Sequence, residues 1–187
     1  MTNTTNPIPE GLWRLRIFPA EILSEKRSVD AWVERDGARA VRFQNSDNNM
    51  TLTIPGTART AICVAACHVS EPLKKSESSS AGLTRDNRPK PDLIAPGVSI
   101  TTAMAGTTKD GVESYGTSMA APMVTGVLAL ALSHLHKKGP DHQMNAVELR
   151  KHLVRTLANR GSHHPLFGHG RLDAKAFFKA ISPVSMV

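Results

Sequence analysis

Aromatic residues are scarce in this chain: five Phe, two Trp and one Tyr in 187 residues, or 4%. Base-stacking platforms are built from aromatics, and duplex or single-strand grooves need a continuous basic stripe. The formal charge of +7 and pI near 9.8 do invite a nucleic-acid reading. The basic residues, however, are scattered, with short pairs such as Lys74-Lys75 and Lys137-Lys138. They read as a solvated surface, and no nucleic-acid partner is expected. Cysteine is nearly absent too, with Cys63 and Cys67 alone. Four residues of strand, at about 3.3 Å each, separate them by more than the roughly 7 Å a disulfide can bridge. No histidine sits near them at metal spacing, so zinc is not expected and both read as buried thiols. The first residues, Met1-Thr2-Asn3-Thr4-Thr5-Asn6-Pro7, lack the basic and apolar regions of a signal peptide. No apolar run approaches the ~20 residues of a membrane span. The expectation is no membrane segment and no readable localisation. At 40% hydrophobic and 21% charged, the composition suits a globular domain or a part of one.

What is present centres on Gly116-Thr117-Ser118-Met119-Ala120-Ala121-Pro122. One hydroxyl stands between a glycine and a run of small residues that opens an apolar helix, Met123 to Leu132. A serine at a helix start sits among backbone N–H groups without helical partners, at the positive end of the dipole. Acyl transfer creates an oxyanion that such donors stabilise. Taken alone, a serine at a helix start is more often only an N-cap. Pro122 is expected within the first helical turn, where its missing N–H is harmless.

The same run resembles the nucleophile motif of the subtilisin-like serine proteases, with Ser118 as nucleophile. Lys90-Pro91-Asp92-Leu93-Ile94-Ala95-Pro96-Gly97 resembles the segment those enzymes carry shortly before that serine. Ser78-Ser79-Ser80-Ala81-Gly82, Ile54-Pro55-Gly56-Thr57-Ala58 through Ile62-Cys63-Val64-Ala65-Ala66, and the tail Gly168-His169-Gly170-Arg171-Leu172-Asp173-Ala174 are similar to the family as well. The matches run in the family's order across roughly residues 50–180. The resemblance implies an α/β fold: the C-terminal portion of a doubly wound, mostly parallel sheet with flanking helices. It also implies a polypeptide substrate, an acyl-enzyme on Ser118 and no required cofactor. Structural calcium is frequent in the family, at positions this sequence does not mark. Gly116, Thr117 and Ser118 are the implied oxyanion and substrate-binding residues. Asn45 stands at about the spacing of the family's side-chain oxyanion donor, although without the small residue and glycine that precede it there.

The family's order is Asp, His, Ser. Between Met1 and Ser118 there is neither an Asp-Ser/Thr-Gly turn nor a His-Gly-Thr helix start. His68 is the one upstream histidine, at the end of an expected strand; the other seven histidines follow Ser118. Asp92 reads as a backbone or salt-bridge holder. The chain therefore reads as 1–10 arm, 11–182 partial catalytic domain and 183–187 tail. An upstream chain would supply Asp and His; the alternative is an inactive remnant or interaction module.

Local patterns place these motifs. Leu12–Ile17 alternates as a half-buried strand, and Ala31–Phe43 reads as a hairpin around Asp36-Gly37. Thr51–Ile54 reads as a short extended piece. Residues 59–69 suit a buried parallel strand, 71–92 an exposed loop, and Leu93–Ala95 and Val98–Ala103 short strands. Residues 104–116 read as a glycine-containing approach to the serine. A helix is expected over 118–137, ending at Gly139-Pro140, with Gly126 tolerated through close packing on the sheet. Asn145 and Glu148 form a capping pair ahead of the apolar face Ala146, Leu149, Leu153, Val154 and Leu157. Asp173 caps a last helix through Ile181.

Overall fold

The computed structural model describes residues 11–18, 29–33 and 41–182. The chain divides at Val41/Arg42 into two units, and the second carries all the regular structure described. Its elements are β1 (Val64–Cys67), β2 (Leu93–Pro96), β3 (Ile100–Ala103), β4 (Gly111–Ser114), α1 (Thr117–Lys137), α2 (Ala146–Arg155) and α3 (Ala174–Ile181). A 3-10 turn at Pro140–His142 follows α1.

β1 and β2 pair in parallel, Val64 opposite Leu93 and Cys67 opposite Pro96. Ala65, Ala66, Cys67, Leu93, Ile94 and Ala95 are all buried, as expected for strands covered on both faces. Neither strand edge is bare along its length. Beyond β2, Ile94 N–H donates to Gly170 O (3.0 Å) and Leu172 N–H to Ile94 O (2.9 Å). Beyond β1, Ser76 N–H donates to Ala66 O (2.8 Å), and Ala66 N–H donates to Ser79 Oγ (3.1 Å). The 59–69 strand is thus shorter than its apolar run, because Ile54–Thr57 turns and bends follow to Ala61 before β1 begins. Residues 71–92 are not an exposed loop either. Ser76, Ser79, Ala81, Thr84, Lys90 and Asp92 are buried, and Ser79 Oγ stands in for a ladder acceptor of Ala66 N–H.

One face of the sheet carries α1. Ala120, Val124, Ala131 and Leu135 of α1 meet Ala66, Leu93 and Ala95 of the sheet. The same core extends through Leu149 and Leu153 of α2 and Phe177 and Ile181 of α3. Leu153, burying its whole side chain, contributes about 1.5–3 kcal/mol. α2 starts on a capping box in which Asn145 Oδ1 accepts from Val147 and Glu148 N–H while Glu148 returns to Asn145 N–H. Asp173 caps α3 by accepting from Ala176 N–H (2.8 Å). Both thiols are free and buried. Burial, with the Asp92 carboxylate adding to it, pushes Cys63 up to about 11.

Several expectations need correcting. Leu12–Ile17 forms no strand and is exposed, because an alternating pattern does not by itself build a ladder. The centre of the 31–43 hairpin lies outside the described residues, as do 1–10 and 183–187. Residues 104–116 contain a strand, β4, which pairs antiparallel with β3. Gly126 does not touch the sheet: it is exposed, and a Cβ built there meets nothing within 4 Å. Finally, α1 is long and apolar enough to cross a membrane by length and composition, since Thr, Ser and Gly interrupt it without charge. On one side it packs against β1 and β2.

Candidate active site

Ser118 is the second residue of α1 and is exposed. What places it is a pinch at the end of β2. Gly97 N–H donates to Cys67 O (2.9 Å), and Gly116 N–H donates to Gly97 O (2.6 Å). A Cβ on Gly97 would lie 2.7 Å from Gly116 O, 2.8 Å from Ala66 Cβ and 3.1 Å from Ala120 Cβ, so only hydrogen fits. Gly116 itself stands at φ 122°, a conformation that side chains disfavour. The chain then turns sharply into α1, and Ser118 comes to the carboxyl end of the sheet, where open α/β folds bind ligands.

The backbone around Ser118 is unusually uncommitted. Gly116 caps α1 without a side chain, and its carbonyl accepts from Met119 (3.0 Å) and Ala120 (3.3 Å). The N–H groups of Thr117 and Ser118 precede the helical ladder and take no partner among the described residues. Pro122 lies in the second turn, not the first. Its missing N–H therefore leaves Ser118 C=O without the donor four residues on. Ser118 is thus free of the helix's own ladder on both sides, with two N–H groups pointing out of a helix start that attracts negative charge.

No histidine reaches it. Ser118 Oγ makes no hydrogen bond among the described residues. His163 Nε2 meets Pro91 O (3.0 Å), His134 Nε2 meets Ser182 Oγ (2.7 Å), and His164 Nδ1 accepts from Leu166 N–H (3.1 Å). His68 follows β1 and donates its N–H to Lys74 O. Asn45 lies in an exposed bend. The structure accordingly brings together Gly116, Thr117 and Ser118, and leaves Asn45 unconnected to them by any hydrogen bond. Among the described residues no group of three or more His, Cys, Asp or Glu is arranged to hold a metal ion.

Asp92 does what its neighbours in sequence suggested. Fully buried, it accepts from Cys63 N–H (2.7 Å) and Lys90 Nζ (2.7 Å) through Oδ2, and from Arg150 Nε (2.9 Å) through Oδ1. Lys90 Nζ also donates to Ala61 O. The carboxylate thereby ties the starts of β1 and β2 to α2, at the end of the strands away from Ser118. Arg150 was not marked by the sequence; only the three-dimensional approach of α2 identifies it.

These features define a class: a parallel-sheet α/β protein presenting a serine on an uncapped helix start at the strand ends. Residues 34–170 match the profile described as the Subtilase family, and the chain belongs to that family. It is 30% identical to subtilisin BL of Lederbergia lenta over 158 residues, 84% of this chain and 52% of subtilisin BL. With halolysin of Haloferax mediterranei it shares 28% over 134 residues, 72% of this chain and 23% of halolysin. The solved CspB protease of Clostridium perfringens superposes with TM-score 0.68 at 25% identity, covering 76% of this chain and 31% of CspB. The chain thus spans about half of subtilisin BL and less of the other two.

Proposed function

We propose that this chain is the nucleophile-bearing part of a subtilisin-like serine endopeptidase. Ser118 Oγ attacks a peptide carbonyl, and a histidine brought by polypeptide outside the described residues takes the hydroxyl proton. The N–H groups at the start of α1, Ser118 foremost, hold the oxyanion, with Gly116 and Thr117 shaping the approach. The proton passes to the leaving amine, and water then releases the acyl group. No step needs a cofactor. Calcium, where the assembled domain uses it, acts structurally. The observation that carries this reading is the exposed Ser118 beside two unpartnered N–H groups at the sheet's carboxyl end.

A second reading, an inactive remnant or interaction module, is favoured by the commitment of His134, His163 and His164 to other partners. In subtilisin, loss of the histidine alone lowers kcat about 10⁶-fold. The pure chain should therefore hydrolyse peptides negligibly. The test is fluorophosphonate labelling, with and without the N-terminal part of subtilisin BL, the portion preceding its matched region. Strong labelling that needs that portion and disappears in Ser118→Ala supports the peptidase reading; no labelling under either condition favours the module. Asn45→Ala, labelled in the same mixture, tests that residue as a second oxyanion donor. Reading the DNA upstream of Met1 for Asp- and His-bearing motifs is an independent discriminator.

A further inference from the structure

We infer that the groove bounded by the last turns of α1, residues 143–144, α2 and the end of α3 binds an extended peptide segment in which apolar side chains are followed by acidic ones. The site is separate from Ser118, which precedes Leu132 by 14 residues, about 21 Å along α1. It stands whether or not the chain cleaves peptides.

Two open cavities adjoin here. One, of about 430 Å³, is lined by Leu132, Ser133, Leu135, His136, Gln143 and Met144. The other, of about 510 Å³, shares Leu135, Gln143 and Met144 and adds Lys151, His152 and Arg155 of α2 with Ala180 and Ile181 of α3. The floor is apolar: Leu135 and Ile181 are buried members of the core, and Met144 packs against it. The rim is cationic. Lys151 and Arg155 are exposed, and neither makes an ion pair or hydrogen bond among the described residues. Glu148, the one acidic residue lining either cavity, is held by its bond to Asn145 N–H (2.9 Å). The surroundings have the same sign. Residues 133–182 carry nine Lys and Arg against three Asp and Glu, and so hold six of the chain's seven net positive charges. An apolar floor under a rim of one sign selects a ligand that is both apolar and anionic.

The backbone makes that ligand a peptide. Between the 3-10 turn and α2 the chain is extended, with Gln143 at φ −70° and ψ 139°. Met144 N–H and the carbonyls of Gln143 and Met144 take no hydrogen-bond partner among the described residues. Open main-chain groups on an extended segment pair with a second extended backbone, as in recognition by strand addition. Alternate side chains of such a strand point the same way, about 7 Å apart. One apolar side chain then enters each cavity, and acidic side chains beyond the second meet Lys151 and Arg155. An acyl-chain carboxylate suits the floor and rim but leaves the three backbone groups unpaired. A nucleic acid needs stacking aromatics, and none lines either cavity.

The probe is the fluorescent peptide Ser-Leu-Ser-Leu-Glu-Glu-Ser, blocked at both ends. It is titrated by anisotropy into the Ser118→Ala chain, so that cleavage plays no part. Lys151→Glu with Arg155→Glu reverses the rim, while Ser133→Trp and Ala180→Trp each fill one cavity from an exposed position. Circular dichroism checks that these variants fold. Lys74→Glu with Lys109→Glu makes the same change of charge elsewhere and is the control. One-to-one binding is expected, weakened at least tenfold by the rim reversal and by either tryptophan, and less than twofold by the control. Replacing the peptide's two Leu by Ser, or its two Glu by Gln, should each cost at least tenfold. An absence of binding to the otherwise unaltered chain overturns the proposal, and so does binding indifferent to both tryptophans. Equal weakening by the control pair, or a Leu-free peptide that binds as well, reduces the site to attraction by a basic surface and overturns it too. Dodecanoate that obeys these variants while the peptide does not bind gives the groove to an acyl chain. A dimer, seen by sedimentation, that Ala180→Trp dissolves gives it to a second copy of this chain. Either result overturns the proposal.

Discussion

The two sides of α1 differ sharply. On the inner side, α1, α2, α3 and the sheet share one core in which Leu93, Leu153 and Phe177 are fully buried, and Asp92 is held by three donor groups. On the outer side, Met123, Leu130 and Leu132 of the same helix face solvent. Stability in this chain therefore resides on the inner side, while Ser118 sits at the boundary with the outer one. A substitution should act on folding or on association according to the side it touches.

The largest effect expected is that of Asp92→Ala. It strands Lys90, whose side chain is only 3% exposed, and unties α2 from both strands. Removing one partner of a buried ion pair costs about 3–5 kcal/mol. Denaturant titration should show that loss or a failure to fold; a change under 1 kcal/mol would mean that the inner side is not a single cooperative unit. Leu153→Ala comes next, at about 2–5 kcal/mol, because the core around it cannot fully collapse. On the outer side the sign reverses. Gly126→Ala should raise the isolated chain's stability by about 0.5–1 kcal/mol, since alanine favours helix and meets no neighbour there. A loss of stability would show that something already covers that position. Ser118→Ala should stay within about 0.5 kcal/mol, as its hydroxyl makes no hydrogen bond among the described residues.

The smallest effect is a pH dependence carried by His163. Burial lowers its pKa below the ordinary value, while its bond to Pro91 O partly opposes this. The unfolded chain then takes up the proton first as pH falls through about 6.5. The His163 contribution is complete above that pH and is lost on acidification toward its lower folded value. His163→Gln should flatten the stability curve between pH 7 and pH 5; an unchanged slope would assign that dependence to other groups.

Much of this arrangement was legible in the residues. Gly139-Pro140 marked the end of α1, Asn145 with Glu148 marked the start of α2, and Asp173 that of α3, because caps are local devices. Gly116-Thr117-Ser118 was readable as a helix start for the same reason. What escaped depends on distant partners. β4 has no apolar alternation to announce it and exists by pairing with β3. Ser76 and Ser79 looked like solvent-facing loop, yet they bond to a central strand. Gly126 was assigned to the wrong face of its helix because composition cannot say which side of an all-apolar helix meets the sheet.

The pinch between Gly97 and Gly116 has a consequence for how such a chain can vary. The hairpin β3–β4 leaves the body of the protein at Gly97 and comes back to the same point, closed by a hydrogen bond between those two glycines. It is a detour whose two ends coincide. Its length and contents can change, as surface loops of low closure entropy allow, while the starting position of α1 stays registered to the strand ends. The hairpin is thus a segment that can be lengthened or rewritten without moving Ser118 from the strand ends.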